Sequence, residues 1–211
     1  MTSPRRALVV VDVQQEYFSG PLTIQHPAPE DALANVVRAV ETARAHDVPI
    51  VLVQHAMPAG APIFAAGSPG FDLHPDLLAV TDPRDERISK SFGSVFAGTG
   101  LADRLREREV DTVTIVGFMT NNCDLASAVE AEGLGFSAEV LSDASGAIDL
   151  DNAVGHVPAA VLHETLMVLL HSNFAAVATT QQWVEAVAGA QPLPLDNLVD
   201  SAVRGRARVG G

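Results

Sequence analysis

The stretch ALVVVDV at residues 7–13 decides how this chain folds. An unbroken apolar run that ends in an acidic residue is typical of a parallel strand buried on both faces. Two further runs of this kind follow, PIVLV at 49–53 and TVTIV at 112–116. Because parallel neighbours need long crossover connections, the segments between these runs are expected to form helices that cover the sheet.

Helical signals do separate the predicted strands. Thr99 is a candidate cap for one helix, and Gly135 is a candidate left-handed end for another. The predicted helices are 30–47, 100–108, 122–134, 158–172 and 180–187, and the shorter strands are 86–89, 137–141 and 175–178. This alternation predicts an α/β fold. It should be a three-layer, doubly wound, mainly parallel six-stranded sheet with strand order 3-2-1-4-5-6, which is a Rossmann-like arrangement.

The length of 211 residues suits one domain, which we predict over residues 1–187. Residues 188–211 are predicted to be a C-terminal arm or flexible tail, because they contain prolines and glycines and lack a clear apolar period. Residues 56–84 are also rich in Pro, Gly and Ala and show no period. Long irregular segments of this kind often carry functional residues.

The composition restricts the possible partners. A formal net charge of −13 disfavours binding to the phosphates of nucleic acids. No run approaches the roughly 20 apolar residues of a membrane span, and the beginning of the chain lacks the features of a signal peptide. A single cysteine fits a reducing compartment. We therefore expect a cytoplasmic protein without nucleic-acid or membrane partners.

Lysine usage is the most unusual feature of the composition. Of 13 basic residues, 12 are arginines and only Lys90 is a lysine. Lysine is a compact point charge whose pKa shifts readily on burial, so this single lysine suggests a specific role. Lys90 follows a predicted strand, as do Asp12 and the segment 117–123. Since ligands of open parallel sheets bind beyond the carboxyl ends of the strands, these residues are expected to meet at one edge.

Cys123 is the candidate nucleophile. It is predicted at the start of a helix, where free amides, the helix dipole and Lys90 would lower the pKa of its thiol. Asp12 can accept the thiol proton and return it to a leaving amine, and the turn at 117–123 can aim N–H groups at an oxyanion. Taken alone, Cys123 also fits a small core residue and Asp12 a strand cap; their expected convergence favours catalysis.

Three motifs together resemble the isochorismatase-like cysteine hydrolases. They are VVVDVQ at 9–14, Lys90 after a short strand, and VGFMTNNC at 116–123. The resemblance covers about residues 5–187. It implies the isochorismatase fold, a catalytic triad of Asp12, Lys90 and Cys123, and a cis peptide between Phe118 and Met119. It also implies that the amides of Met119 and Cys123 form an oxyanion hole.

The activity implied by this resemblance is hydrolysis of an amide-like C–N bond through a thioester. The expected substrate is a small amide, lactam or ureido compound, and the expected assembly is a homodimer or larger homo-oligomer. Two alternatives stay open. One is an isochorismatase-type vinyl ether hydrolase, although such enzymes use the aspartate and lysine and lack the cysteine. The other is a catalytically silent homologue that binds a metabolite.

The pocket and the metal question complete the predictions. Nicotinamidases of the family carry an Asp-x-His pair after the second strand that binds a metal, whereas here that strand ends Gln54-His55-Ala56. The pair Asp72-x-His74 has the right spacing but lies far into the loop. We therefore predict no metal and no cofactor. The residues predicted to line the pocket are Tyr17, Phe18, His55, Phe92, Phe96, Phe118 and Asn122.

Overall fold

A computed structural model describes residues 3–209, which form eight strands and eight helices. The strands are β1 (Arg6–Val11), β2 (Ile50–His55), β3 (Glu86–Lys90), β4 (Thr112–Phe118), β5 (Ser137–Gly146), β6 (Leu150–Asn152), β7 (Gly155–Val157) and β8 (Ala176–Ala178). The helices are α1 (Glu16–Ser19), α2 (Pro29–Ala45), α3 (Pro75–Ala79), α4 (Leu101–Glu107), α5 (Leu125–Gly133), α6 (Ala159–Asn173), α7 (Thr180–Ala188) and α8 (Leu198–Val209).

Six strands form one parallel sheet in the order β3-β2-β1-β4-β5-β8. This confirms the predicted α/β class, the doubly wound topology and the strand order. The sixth position belongs to β8 because an antiparallel ribbon of β6 and β7 precedes α6 in the chain. The direction of the strand connections reverses between β1 and β4, and that is the point where ligands bind in such sheets.

The sheet separates two hydrophobic cores, and strand β1 contributes residues to both. Leu8 and Val10 pack in the cluster that also contains α2 and α7, whereas Val9 and Val11 pack in the cluster that contains α4, α5 and α6. All six residues of β1 are buried. The unbroken apolar run therefore reflects a strand covered on both faces, and the three-layer architecture follows from it.

Several local elements differ from the prediction. The short helices α1 and α3, the 3₁₀ turn Pro69–Phe71 and the β6–β7 ribbon were not predicted, because elements of three to five residues are too short to show a period. Gly100, not Thr99, is the cap residue of α4, although the Thr99 hydroxyl still accepts the Leu101 N–H at 3.2 Å. Gly135 adopts the expected left-handed conformation.

The segment predicted as an arm or tail contains helix α8, which packs against α6 and exposes most of its residues. Within residues 3–209, none of the helices has both the length and the hydropathy needed to cross a bilayer.

Gly117 allows β4 to approach β1 closely near the carboxyl ends of the two strands. Its φ is +111°, and a Cβ at this position would lie 2.1 Å from the carbonyl oxygen of Val11. We expect Gly117→Ala to lower the free energy of unfolding by about 3 kcal/mol or more, because strain and overlap act together. Urea unfolding measures this, with Gly133→Ala as control because a Cβ there meets no neighbour. A loss below about 1 kcal/mol would contradict the expectation.

Candidate active site

Four chemically active side chains meet where the central strands end. His55 and Lys90 are the last residues of β2 and β3 and are paired in register. Asp12 directly follows β1, and Cys123 lies five residues beyond the end of β4. The structure thus brings together Asp12, Lys90 and Cys123, as the sequence predicted, at the carboxyl edge of the sheet. His55 joins them there.

The chain turns sharply at Asp12, which is fully buried. Its φ of +49° is left-handed, a conformation that aspartate tolerates better than most residues, and its amide donates to the Val53 carbonyl at 3.0 Å. Two residues later, the Gln14 side chain fixes the backbone of His55: Gln14 Nε2 donates to the His55 carbonyl, and the His55 amide donates to Gln14 Oε1. The ends of β1 and β2 are therefore held together.

The ammonium of Lys90 lies at the centre of the site. Nζ is 2.6 Å from Asp12 Oδ2 and donates to Cys123 Sγ at 3.2 Å. It also lies 3.2 Å from His55 Nδ1 and 3.2 Å from the Phe92 carbonyl oxygen. The contact with Asp12 is an ion pair outside the geometry of a directed hydrogen bond. Because both charged side chains are excluded from solvent, each depends on the other for compensation.

Burial controls the protonation of this pair. It raises the pKa of Asp12, although Lys90 opposes the rise. Burial alone would lower the pKa of Lys90, but the charges of Asp12 and Cys123 raise it overall. Lys90 therefore stays charged at neutral pH. Asp12 is a stronger base than an ordinary aspartate, because its protonated form is favoured by the loss of water.

The predicted low pKa of the Cys123 thiol is wrong for the resting site. Burial and the Asp12 carboxylate raise the pKa of this thiol, and the opposing effect of Lys90 is smaller. Cys123 is only 3% exposed, and it lies inside a π-helical turn (Thr120–Asp124) that precedes α5, not at a free helix start. The raised pKa favours a neutral thiol beside the Asp12 carboxylate.

A bridge through His163 holds the segment that carries Cys123. The Thr120 hydroxyl lies 2.9 Å from His163 Nδ1, and His163 Nε2 is 3.0 Å from the Ser142 carbonyl. Burial lowers the pKa of His163, so its imidazole is neutral and bridges the two groups. The peptide between Phe118 and Met119 is cis. The Met119 amide donates to no acceptor within residues 3–209.

A continuous chain of aromatic rings borders the site. From His55 it passes through Phe64, Tyr17, Phe118 and Phe18 to His74, with successive ring centroids 4.4–5.6 Å apart. Four of the predicted pocket residues, Tyr17, Phe18, His55 and Phe118, belong to this chain of rings. Tyr17 and Phe118 are buried and form its base, whereas Phe18 and His55 are partly exposed.

The other predicted pocket residues have different positions. Phe92 is 63% exposed and contributes its carbonyl oxygen to Lys90, and Asn122 is exposed beside Gly93. The prediction for Phe96 is wrong. Its ring is buried in the core and stacks on Phe136, which precedes β5 at the opposite edge of the sheet. Sequence position next to a motif did not reveal which way this ring points.

Sequence reasoning missed Asp124, the residue after the nucleophile. Its carboxyl is fully buried, and neither oxygen has a directed hydrogen bond to another described residue. Burial and the charge of Asp12 raise its pKa well above the usual range, which favours the uncharged form. The regular helix predicted at 122–134 gave no reason to bury this position, and the π-helical turn is what does so.

Asp12, His55 and Cys123 form a group that could hold a metal ion, because their potential ligand atoms lie within 4.8 Å of one another. The donor set suits a thiophilic cation. However, the Lys90 ammonium contacts all three groups and already supplies the positive charge. At the other candidate pair, His74 Nδ1 accepts the Asp76 N–H, and the Asp72 carbonyl accepts the Gln15 N–H. The predicted absence of a metal stays a prediction.

Access to the sulfur is narrow. Only 3% of Cys123 is exposed, and His55 beside it is partly exposed. A cleft of about 460 Å³ lies at the opposite edge of the sheet, beside Asp111 and Ser137. Its lining does not include Asp12, Lys90 or Cys123.

Comparisons with known proteins agree with this fold. The sequence profile of the isochorismatase domain matches residues 6–182, and the chain belongs to the isochorismatase family. It is a hydrolase of that family. It is similar to the isochorismatase family protein YrdC of Bacillus subtilis strain 168, with 28% identity over 85% of this chain and 95% of the relative.

Two further similarities are informative. The nicotinamidase/pyrazinamidase of Mycobacterium tuberculosis is 30% identical over 71% of this chain and 90% of its own length. Among solved structures, a protein of Burkholderia xenovorans LB400 assigned to the isochorismatases superposes with a TM-score of 0.96 and 44% identity, and the match covers 100% of both chains.

Proposed function

We propose that this chain is a cysteine amidohydrolase that cleaves an amide-like C–N bond of a small molecule through a thioester. One observation carries the proposal: a buried ammonium, that of Lys90, contacts both a carboxylate and a thiol at the ligand-binding edge of the sheet. A core cysteine would need neither neighbour. Relatives described as nicotinamidase and streptothricin hydrolase support the class of substrate.

In the first step, Asp12 accepts the thiol proton while Cys123 Sγ attacks the substrate carbonyl carbon. The raised pKa of Asp12 favours this transfer, and the positive charge of Lys90 stabilises the negative charge that moves from carboxylate to sulfur. Because the proton moves within the site, the net charge of the buried cluster does not change. This avoids the cost of forming an isolated thiolate in a desolvated environment.

The carbonyl oxygen becomes an oxyanion as the C–S bond forms. In this proposal the Met119 N–H, which donates to no acceptor within residues 3–209, and the Cys123 amide stabilise it. The C–N bond then breaks, and the proton on Asp12 passes to the departing nitrogen. A water molecule next attacks the thioester, Asp12 takes a proton from that water, and the proton returns to the sulfur when the acid leaves.

A screen of small amides, lactams and ureido compounds for ammonia or amine release tests this proposal. We expect at least one compound to be hydrolysed and to give a transient adduct on Cys123 with the mass of its acyl group. Release of product without such an adduct would contradict thioester chemistry. Turnover of isochorismate without any turnover of amides would instead favour the vinyl ether alternative.

We also propose that the chain forms a homodimer or larger assembly and acts in the cytoplasm. Aliphatic side chains remain exposed on α6 and α8, the largest being Val161, Val168, Leu169, Leu198, Val199 and Val203. Exposed apolar residues on neighbouring helices are typical of contact surfaces, and they support a homodimer or larger assembly. We place the reaction in the cytoplasm, because a mechanism that depends on one thiol needs reducing conditions.

A further inference from the structure

We propose that His163 is a positioning residue for Cys123 and that it acts through a hydrogen bond accepted from the Thr120 hydroxyl. Neither His163 nor Thr120 belongs to the Asp12-Lys90-Cys123 triad. The inference rests on the proposed amidohydrolase function and deepens it, because it assigns part of the geometry of the nucleophile to a side chain of α6.

The direction of each hydrogen bond in the bridge follows from the groups that meet there. A backbone carbonyl can only accept, so His163 Nε2, which lies 3.0 Å from the Ser142 carbonyl oxygen, carries a proton. Burial lowers the pKa of His163, so the neutral ring predominates at pH 7 and its Nδ1 carries no proton. Nδ1 therefore accepts, and the Thr120 hydroxyl, 2.9 Å away, donates to it. The bridge runs in one direction, from Thr120 through His163 to Ser142.

This bridge ties the turn that contains the nucleophile to a separate helix. Thr120 is the first residue of the π-helical turn and is fully buried, and His163 lies on the buried face of α6. Within the turn, the amides of Asn122 and Asp124 donate to the Met119 carbonyl at 3.0 and 3.3 Å. Those two bonds fix the shape of the turn, whereas the bond to His163 fixes where the turn lies relative to α6.

The reacting groups are close neighbours of this anchor along the chain. Met119, whose N–H donates to no acceptor within residues 3–209, directly precedes Thr120, and Cys123 lies three residues after it. A turn that loses its bond to α6 can shift as a unit, and the amide and the sulfur shift with it. The contact of 3.2 Å between Cys123 Sγ and Lys90 Nζ would then lengthen. A displacement of about 1 Å at reacting atoms can cost on the order of 100-fold in rate.

Kinetics of threonine variants test the role in catalysis with any amide that the enzyme hydrolyses. Thr120→Val removes the hydroxyl but keeps the shape of the side chain, and we expect kcat to fall about 10- to 100-fold with little change in KM. Thr120→Ser keeps the donor and should retain most of kcat. Thr114→Val is the matched control, because this buried hydroxyl lies in the middle of β4 and donates to Glu139 Oε2 at 2.8 Å. Its loss should lower stability and leave kcat unchanged.

A double-mutant cycle assigns the effect to the pair. His163→Leu should lower kcat by about the same factor as Thr120→Val, and the combined variant should lower it no further, because each single change already removes the same hydrogen bond. Effects that multiply would show that Thr120 and His163 act separately, and they would overturn the proposal. Equal losses of kcat in Thr120→Val and Thr114→Val would also overturn it, because the bridge would then serve stability alone.

Two measurements need no substrate. Nitrogen NMR at neutral pH should show His163 with its proton on Nε2, and the Nδ1 resonance should shift in Thr120→Val but not in Thr120→Ser or Thr114→Val. The second is the rate at which iodoacetamide alkylates Cys123. Because Lys90 lowers the pKa of the Cys123 thiol, we expect a turn that has moved away from Lys90 to react about tenfold more slowly in Thr120→Val, and Thr114→Val to react like the wild type.

The outcomes distinguish failure of this inference from failure of the proposed function. If His163 carries its proton on Nδ1, or if alkylation in Thr120→Val matches the wild type, the positioning role is overturned whatever the enzyme hydrolyses. If no amide is hydrolysed and no acyl adduct forms on Cys123, the proposed function fails, and the NMR and alkylation results still decide whether His163 positions the sulfur.

Discussion

Replacement of Cys123 by serine should lower kcat/KM for any amide substrate by at least about 10⁴-fold. The sulfur lies beside Asp12 and 3.2 Å from Lys90, so the serine hydroxyl would occupy nearly the same place. An alcohol is far less acidic than a thiol, however, and a carboxylate cannot remove its proton effectively. The loss should therefore appear in the chemical step with little change in substrate binding.

Steady-state ammonia release and intact-protein mass spectrometry measure this effect together. The serine variant should bind substrate with a similar affinity, release almost no ammonia and form no acyl adduct at residue 123. Cys123→Ala provides a second variant without any nucleophile, and it should be as inactive as the serine variant. Activity within about tenfold of the wild type in either variant would exclude covalent catalysis by this sulfur.

The sheet was predictable because its signals are long and lie within single segments. The runs at 7–13, 49–53 and 112–116 give strands buried on both faces, and right-handed crossovers leave few ways to order them. The same order brings residues 12, 90 and 123 to one edge. Their convergence therefore followed from topology together with the rarity of lysine and cysteine in the chain.

The local shape of the site was less predictable because it depends on contacts between distant segments. The π-helical turn at Thr120–Asp124, the bridge from Thr120 to His163 and the burial of Asp124 leave no periodic signal in the sequence. The thiol pKa was assigned in the wrong direction for the same reason. A helix start favours a thiolate, but desolvation by the surrounding core is a larger effect here and is visible only in three dimensions.

Conversion of Asp12 to asparagine separates the two roles of the carboxylate, as proton acceptor and as the negative partner of Lys90. Without the carboxylate no group can take the thiol proton and deliver it to the leaving nitrogen, so kcat/KM should fall by about 10³- to 10⁴-fold. In the wild type, the same dependence predicts an acid limb at a higher pH than an ordinary aspartate would give. The reason is that the basic form exists only above the raised pKa of Asp12.

Asp12→Asn should make Cys123 a stronger acid, so that more thiolate forms, even though the variant loses activity. Burial and Asp12 both raise the pKa of Cys123, whereas Lys90 lowers it, so removal of Asp12 leaves burial alone to oppose Lys90. We therefore expect the thiol pKa in Asp12→Asn to fall below that of the wild type. The resulting thiolate would pair with Lys90, which offsets part of the roughly 3–5 kcal/mol that a buried unpaired charge costs.

Ultraviolet absorbance of the thiolate, followed as a function of pH, provides the measurement. The wild type should show little thiolate near neutral pH, whereas Asp12→Asn should show its thiolate step at lower pH while it remains inactive. Asp12→Asn combined with Cys123→Ser is the matched control, because it should lose the absorbance step entirely. If the thiol pKa rose in Asp12→Asn, or if the variant kept its activity, Asp12 could not be the base, and its contact with Lys90 would serve only the stability of the fold.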